Sequence, residues 1–372
     1  MATRLVNRET LLSRTTAKSG GFSQKKVPLR LKVMDSGTSR SGDFAPGHGA
    51  VSRWQGCDYC LLRGIDHVIR SMQELVESAR QLGPASVAVV EAHDPDVLES
   101  LAQAEPMGLA ESILVGSPSK IEAAAKKAGY PLRPEALVVT TGEEGSIRQA
   151  IDLVREGKAD LLMKGKVTTA NLVRGILDKE RGLRTGGQLS QVIAFQVPHI
   201  PRLMLMTDGA INIAPTLAQK AAITRNAIMV AHALGIAEPK VVLLAALEFV
   251  NPDMPATVDA AALVQMNRRG QITGAYLEGP LALDVPLSRF AAERKSIRSP
   301  VVEATDVFIA PDIEAANILY RAILYFAQGK SGGIVVGAKV PLVLLSRAET
   351  PETKIHSIAL ALLVQYHQRR AN

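Results

Sequence analysis

The stretch "SIRQAIDLVREGKADLLMKGKVTTANLVR", residues 146–174, places a helical pattern, a short apolar run and a second helical pattern in sequence. Apolar residues recur at intervals of three and four in "SIRQAIDLVREGKA", as they do along an amphipathic helix. "DLLMKG" contains three consecutive apolar residues, 161–163, and ends in a glycine. It therefore predicts a strand buried on both faces, which is typical of a parallel sheet covered by helices.

The same alternation continues on either side of this stretch. "ASVAVVEA", "ESILVG" and "EALVVTTG" are strand patterns separated by helical ones, and "SQVIAFQVP" with "PRLMLMTDG" predicts consecutive strands, or a hairpin, farther along. Wholly apolar strands that alternate with helices predict an α/β protein. We expect two open three-layer α/β/α domains, with ligands bound outside the carboxyl ends of the strands.

Charge and composition exclude two classes of protein. The formal net charge is +7, but residues 1–53 contain ten basic and three acidic residues, so the remaining residues hold 33 of each. A nucleic-acid-binding domain needs a basic face on its folded part, and the sequence predicts none. No apolar run approaches the roughly 18–20 residues that a membrane span requires. We therefore expect neither nucleic acid nor membrane as a partner.

Residues 1–64 are rich in Ser, Gly, Arg and Lys and lack sustained periodicity, which predicts a disordered N-terminal extension. Their Arg- and Ser-rich composition is also found in organellar transit peptides. Cys57 and Cys60 are the only cysteines and supply two of the four ligands of a structural zinc site. Reduced thiols are the preferred interpretation, and a chain otherwise without cysteine fits a cytoplasmic location.

Polar residues at strand ends are the candidates for binding. Lys164 and Gly165 follow the strand of the opening stretch, and Thr169 precedes Arg174 at the start of the next helix. A glycine turn with hydroxyl groups at a helix N-terminus suits an anion, because free backbone N–H groups point at it. The alternative is an ordinary set of helix caps and solvated charges.

A second set of candidates follows. Arg184 and Thr185 precede a Gly-Gly pair that would permit a hinge or a close approach to a ligand, although an ordinary flexible connection would look the same. The strand "PRLMLMTDG" ends in Asp208 and Gly209, and Asn212 follows it. Asp208 is expected either to orient an arginine or to cap a turn.

The strand "PLVLLS" ends in Ser346 and Arg347. A hydroxyl and a guanidinium are costly at the end of a buried strand unless a ligand binds them. Ser346 could stabilise negative charge developing on a carbonyl oxygen, and Arg347 has a fork of donors suited to phosphate. The sequence contains no P-loop, no dinucleotide-binding glycine motif, no nucleophile elbow and no histidine–carboxylate cluster at metal-ligand spacing.

Seven stretches, in order, resemble the phosphate acetyltransferase and phosphate butyryltransferase family, and the details are closer to the butyryltransferase branch. They also resemble the transferase half of bifunctional proteins that carry an enoyl-CoA hydratase-like domain. The stretches are "LLMKGKVTTANLVRGIL", "KERGLRTGGQLSQV", "MTDGAINIAP", "NPDMPATVDA", "RGQITGAYLEGPLALD", "PDIEAANILY" and "SGGIVVGAKVPLVLLSRAET".

The resemblance implies reversible acyl transfer, in which acyl-CoA and phosphate give acyl phosphate and coenzyme A, by direct attack in a ternary complex. It implies an isocitrate or isopropylmalate dehydrogenase-like fold with a cleft between two domains, a homodimer, no metal and no bound cofactor. We expect domain I to comprise residues 65–185 and 335–372, and domain II residues 186–334.

The resemblance also assigns roles to residues. Ser346 matches the family's active-site serine, Arg347 the neighbouring arginine, and Arg174 a second arginine that lies with Thr169. The family's acetyltransferases often have an aspartate seven residues after the serine, but this chain has Thr353 there. Glu352, immediately before it, is the predicted base, and phosphate itself is the alternative. The predicted substrate-binding residues are Lys164, Gly165, Thr169, Arg174, Arg184, Thr185, Asp208 and Asn212.

Three other functions compete with this one. A decarboxylating dehydrogenase of related fold would need several aspartates around a divalent ion, which the sequence does not offer. A transferase that forms acyl phosphate from acyl-carrier protein is closer in chemistry, but "SRAET" and "GLRTGG" argue against it. A non-catalytic acyl-CoA-binding protein is the third possibility, because the expected aspartate is missing.

Overall fold

A computed structural model describes residues 67–344 and 349–371. The N-terminal extension, with Cys57 and Cys60, lies outside this part of the chain. The helices are α1 Met72–Arg80, α2 Pro95–Ala104, α3 Pro118–Ala128, α4 Gly142–Arg155, α5 Thr169–Ile176, α6 Leu217–Ala233, α7 Pro255–Arg268, α8 Asp284–Leu287, α9 Arg289–Arg294, α10 Ile313–Tyr325 and α11 Pro351–Ala371. The strands are β1 Ala85–Val90, β2 Ala110–Gly116, β3 Leu137–Val139, β4 Leu161–Lys164, β5 Ser190–Gln196, β6 Met204–Thr207, β7 Lys240–Leu244, β8 Tyr276–Leu281, β9 Val307–Ile309, β10 Lys330–Val336 and β11 Leu342–Val343.

Helix starts follow local chemistry. Ser71 and Asp94 accept backbone hydrogen bonds at the N-termini of α1 and α2. Thr216 and Gln219 form a reciprocal capping box at α6, which satisfies two backbone donors that would otherwise lack partners. The opening stretch folds as predicted into α4, β4 and α5. The short helices α8 and α9 were not predicted.

The strands form one sheet in the order β3-β2-β1-β4-β11-β10-β5-β6-β9-β7-β8. The first five are parallel to one another, and so are the last four. β10 is antiparallel to both of its neighbours, and β5 is antiparallel to β6, which confirms the predicted hairpin. The α/β class is confirmed, but the two expected sheets are joined into one.

The junction is the β5–β10 pair, in which seven residue pairs lie in register from Ser190–Val336 to Gln196–Lys330. Two parallel half-sheets of opposite direction therefore lie on either side of an antiparallel centre. The carboxyl ends of the two halves consequently lie at opposite edges of the sheet. The predicted boundary between residues 334 and 335 falls within β10, and the domain limits stay a prediction.

Helices cover both faces of the sheet. Helices α1, α2, α3, α6, α7 and α11 pack on one face over a single hydrophobic core. The opposite face carries two separate cores, one under α4 and α5 and the other under α8, α9 and α10. In β1, Val87 and Val89 face the first core while Ala88 and Val90 face the second, as strand alternation requires. No helix in the described ranges is long and apolar enough to span a membrane.

Candidate active site

The predicted catalytic segment follows β11. β11 is parallel to β4, with Val343 opposite Met163, so Leu344 and Lys164 lie at the same edge of the sheet. Ser346 and Arg347, which the sequence places just beyond, lie outside the described residues. The chain is described again from Glu349, two residues after Arg347. This edge is the carboxyl end of the first parallel half, where α/β sheets bind their ligands.

Gly165 has a packing role at this edge. Its N–H donates to the Val90 carbonyl oxygen at 2.9 Å, and the Lys166 N–H donates to the Glu91 carbonyl oxygen at 2.8 Å. A Cβ atom on Gly165 would lie 2.3 Å from the Glu91 carbonyl oxygen, so no larger residue fits against β1. This glycine therefore sets the path of the loop that carries Lys164, and its predicted contact with substrate stays a prediction.

Helix α5 brings the next candidates to the same region. Thr168 caps the helix, since its Oγ1 accepts the Asn171 N–H at 3.2 Å, while Thr169 is exposed in the first turn. The Arg174 guanidinium is exposed and donates to Asn171 Oδ1 at 3.0 Å; Asn171 in turn donates to Glu143 at 2.6 Å. Two successive side-chain hydrogen bonds, through Asn171 to Glu143, thus orient Arg174.

Arg184 and Thr185 lie at the opposite edge of the sheet. The backbone of Arg184 forms an isolated antiparallel β-bridge with Ala338, and Thr185 Oγ1 donates to the Gly337 carbonyl oxygen at 2.8 Å. Both contacts are with the turn that follows β10, which runs antiparallel to β11. The structure therefore does not bring this pair together with Lys164, although α5 and the loop after it connect the two edges.

Asp208 and Asn212 also lie at that opposite edge, and both are buried. The Asp208 carboxylate accepts the N–H groups of Ala210, Ile211 and Asn212 at 3.0–3.1 Å. The Asn212 side chain donates to the Leu189 carbonyl oxygen at 2.8 Å and accepts from Gln188 at 2.6 Å. Of the two roles expected for Asp208, capping the turn accounts for its three backbone contacts.

Glu352, the predicted base, is in the first turn of α11 and forms an ion pair with Lys330 at 2.7 Å. The Lys330 ammonium lowers the pKa of this carboxyl, which weakens it as a proton acceptor. Its side chain lines a cavity of about 730 Å³ between α1, α11 and the adjacent ends of β5 and β10. The role assigned to Glu352 stays a prediction.

A buried polar group near the start of α11 was missed by the sequence reasoning. The Tyr320 hydroxyl of α10 lies 3.2 Å from Ser331 Oγ and donates to Glu349 Oε1 at 3.5 Å. Burial, followed by the nearby Glu349 charge, raises the pKa of Tyr320 to about 12, so the phenol stays a neutral donor. The stretches "PDIEAANILY" and "SRAET" contain Tyr320 and Glu349, but no local pattern relates them.

A second missed group lies at the carboxyl end of β1. Glu91 is buried with a φ of 51°, a left-handed backbone conformation that non-glycine residues adopt rarely. Ser146 Oγ donates to its carboxylate, Thr140 Oγ1 lies 2.7 Å from Ser146 Oγ, and His93 Nδ1 lies 3.2 Å from the other carboxylate oxygen. Within residues 67–344 and 349–371, no group of three or more Asp, Glu, His or Cys residues could hold a metal ion.

Most of the chain is similar to proteins of one enzyme family. A model of the family described as "Phosphate acetyl/butaryl transferase" matches residues 138–362. Phosphate butyryltransferase of Clostridium acetobutylicum is 43% identical over 297 residues, which cover 80% of this chain and 99% of the relative. Phosphate acetyltransferase of Thermotoga maritima is 41% identical, with 78% of this chain and 98% of the relative covered.

One solved structure agrees with these relatives. A branched-chain phosphotransacylase from Enterococcus faecalis matches 76% of this chain and 99% of its own, with 31% identity and a TM-score of 0.66. A phosphotransacetylase from Streptococcus pyogenes has a TM-score of 0.68 at 20% identity and therefore supports the fold alone.

Proposed function

Because the chain belongs to the phosphate acetyl/butyryl transferase family, we propose that it transfers an acyl group reversibly between coenzyme A and phosphate. The observation that carries this proposal is the match of nearly the whole length of a phosphate butyryltransferase, at 43% identity. The same stretch contains the strand-end residues that the sequence singled out for phosphate and carbonyl chemistry. Neither the dehydrogenase nor the non-catalytic alternative is favoured by these relatives.

The proposed reaction is one direct displacement in a ternary complex. The thiolate sulfur of coenzyme A attacks the carbonyl carbon of the acyl phosphate, the C–S bond forms, and the C–O bond to phosphate breaks. The thiol proton ends on the departing phosphate, so atoms and charge balance. Both acyl donors are already activated, and the proposed chemistry therefore uses coenzyme A and phosphate as substrates and no bound cofactor.

Ser346 and Arg347 are the proposed centre of this chemistry. Ser346 Oγ would donate to the oxyanion that forms during attack, a role in which one donor is worth about 10²–10³ in rate in hydrolases. Arg347 would bind the phosphoryl group through its planar fork of donors. Arg174 is the second proposed phosphate ligand, and its exposed guanidinium on α5 is consistent with that role.

The candidates at the far edge of the sheet have a different proposed part. Coenzyme A is a long molecule, and α5 with its following loop runs between Lys164 and the Arg184–Thr185 pair. We therefore assign Lys164 and Thr169 to the reacting end of the substrates, and Arg184 and Thr185 to the remote part of coenzyme A. Asp208 and Asn212 would shape that end by holding the turn beside it.

The location and assembly of the protein are further proposals. The chain is proposed to act in the cytoplasm as a homodimer. Ile318 and Phe326, on and just after α10, are 69% and 90% exposed, and apolar side chains of this size are often covered by a partner. Sedimentation equilibrium at micromolar concentration is expected to give twice the chain mass; a single-chain mass would contradict the dimer.

The test of direct transfer uses the reaction from acyl-CoA and phosphate. Free thiol is expected to appear only when both substrates are present. Ser346→Ala is expected to lower kcat by about 10²–10³ with little change in KM, because an oxyanion donor acts on the transition state.

Mass analysis of the peptide that contains Ser346, after acid quench of the working enzyme, should show it unmodified. An acylated Ser346 would contradict direct transfer and require two steps. Activity that survives Ser346→Ala in full would remove this residue from the mechanism.

A further inference from the structure

The side-chain amide of Gln191, on β5, has no partner in the part of the chain that the structure describes. The backbone carbonyl oxygen of this residue accepts the Thr207 hydroxyl at 2.6 Å, but no described residue forms a hydrogen bond with the amide itself. Gln191 is half-buried, on a strand near the middle of the sheet. Polar groups in such places usually have a partner, because an unpaired one costs free energy. The Gln191 amide is therefore open to a ligand.

Gln191 lies at the border between two hydrophobic cores. Side chains alternate along a strand, so Gln191 shares a face of β5 with Ile193. Ile193 belongs to the core under α8, α9 and α10, whereas Val335, the residue paired with Gln191 on β10, belongs to the core under α4 and α5. The amide thus lies where the two cores adjoin and is part of neither.

Two glycines leave room around this amide. A Cβ atom on Gly209 would lie 3.3 Å from Gln191 Oε1, and one on Gly333 would lie 3.6 Å from its Nε2. A larger residue at either position would bring its side chain against the amide. Gly209 is also fixed in place, since its carbonyl oxygen accepts the Asn317 side-chain N–H at 3.1 Å. Both amide atoms are therefore left uncovered by these two neighbours.

The amide lies next to the turn that contains two predicted substrate-binding residues, Asp208 and Asn212. Gly209 belongs to this turn, which the Asp208 carboxylate caps. Gln188, three residues before Gln191, donates to Asn212 Oδ1 at 2.6 Å. Gln191 therefore adjoins the part of the site that is proposed to hold coenzyme A.

A primary carboxamide favours a particular kind of partner. It has N–H donors and a carbonyl acceptor side by side, so both are satisfied by a group that offers an acceptor next to a donor. Phosphate and acyl carbonyl oxygens act mainly as acceptors and would leave the glutamine oxygen unpaired. Coenzyme A offers the matching pattern in the amides of its pantetheine arm and at the edge of its adenine ring.

We propose that the Gln191 side-chain amide binds coenzyme A through a paired donor and acceptor, supplied by a pantetheine amide or by the adenine edge. The inference rests on the proposed function and adds a residue to its coenzyme A site. Gln191 takes no part in bond making or breaking. It contributes to the affinity for coenzyme A and not to the affinity for acyl phosphate.

The test measures coenzyme A binding directly. Isothermal titration calorimetry gives Kd for wild type, for Gln191→Met and for Gln265→Met. Methionine is similar in length to glutamine and lacks its amide, and Gln265 is an exposed glutamine of α7, which makes it the matched control. A ligand group left without its hydrogen-bond partner loses about 5- to 150-fold in affinity. Gln191→Met is expected to raise Kd within this range, and Gln265→Met to leave it unchanged.

Steady-state kinetics separate coenzyme A from the other substrate. In Gln191→Met, KM for coenzyme A should rise while kcat stays unchanged, because the lost contact is the same in the ground state and the transition state. KM for acetyl phosphate should not change. Pantetheine, used as the thiol substrate in place of coenzyme A, identifies the group that is bound. An equal rise in its KM assigns Gln191 to a pantetheine amide, and a rise confined to coenzyme A assigns it to the adenine edge.

Two results would overturn the inference. One is a Gln191→Met protein that folds, as shown by its circular dichroism, and has the same Kd for coenzyme A as Gln265→Met. The other is a rise in KM for acetyl phosphate as large as that for coenzyme A. Gln191→Ala repeats the comparison if the methionine variant does not fold. Wild-type protein that binds coenzyme A but forms no acyl-CoA would contradict the proposed function instead, so the two failures are distinguishable.

Discussion

Arg347 carries the permanent positive charge that is proposed to bind the phosphoryl group. Arg347→Ala is expected to raise KM for phosphate and for acyl phosphate by about 10–150-fold, because a lost charge-assisted contact costs about 1.5–3 kcal/mol. KM for coenzyme A should change much less. Steady-state kinetics with each substrate varied in turn gives these values, and Arg148→Ala, a change at an exposed arginine of α4, is the control. Equal increases for phosphate and coenzyme A would contradict the assignment.

Single residues were the hardest to interpret from the sequence. Thr168 and Thr169 are adjacent, chemically identical and both exposed, yet Thr168 is the one that caps α5. Gly165 looks like a phosphate-binding glycine, but its contact is with the backbone of β1, which is about 75 residues away in the chain. Glu349 accepts a hydrogen bond from Tyr320 of α10, whereas Glu352 pairs with Lys330 of β10. The contacts of Gly165 and of the two glutamates depend on neighbours from other elements, and local spacing carries no information about such neighbours.

At the scale of elements, the contact of α11 with β10 depends on Gly332. A Cβ atom there would lie 2.7 Å from the His356 backbone, whereas on Gly333 the nearest atom would be Ile193 Cγ1 at 3.4 Å. Gly332→Ala is therefore expected to lower the free energy of unfolding by about 1–3 kcal/mol, the usual range for overpacking. Gly333→Ala should stay within about 0.5 kcal/mol. Urea denaturation measures both, and equal losses would contradict this view of the contact.

The same contact makes stability depend on pH. His356 is buried, its Nδ1 lies 3.0 Å from the Ser331 carbonyl oxygen, and burial lowers its pKa from the ordinary value of 6.5. Because the pKa is lower in the folded state, the unfolded state binds a proton at His356 at a higher pH than the folded state does. Stability is therefore complete above pH 6.5 and falls as pH decreases through 6.5 toward the pKa of the folded state.

His356→Asn retains an N–H donor and removes the titration. We expect the urea midpoint of the wild type to fall between pH 7.5 and pH 5.5, and that of the variant to fall less. His367 also has a pKa lowered by burial, so some pH dependence should remain. Identical slopes for the two proteins would exclude His356 as a source.

For the molecule as a whole, the alternation of apolar strands and helices predicted the α/β class. A strand buried on both faces is apolar along most of its length, so each strand can be recognised from its own residues. It did not predict that the two halves share one sheet. That union depends on β5 pairing with β10, where Gln196 lies opposite Lys330, and such long-range pairing leaves no local periodicity. For the same reason, the sequence predicted substrate binding by Arg184, Asp208 and Lys164 alike without showing that the first two lie at the opposite edge of the sheet from Lys164.

The activity of this molecule is the transfer of acyl groups between phosphate and coenzyme A. The most direct measurement is the initial rate at which free thiol disappears when purified enzyme meets coenzyme A with acetyl phosphate or butyryl phosphate. We predict saturable loss of thiol with at least one acyl phosphate, equal release of inorganic phosphate, and a rate at least 100-fold lower for Ser346→Ala. No thiol loss with either acyl phosphate, from enzyme that is folded and binds coenzyme A, would contradict the account.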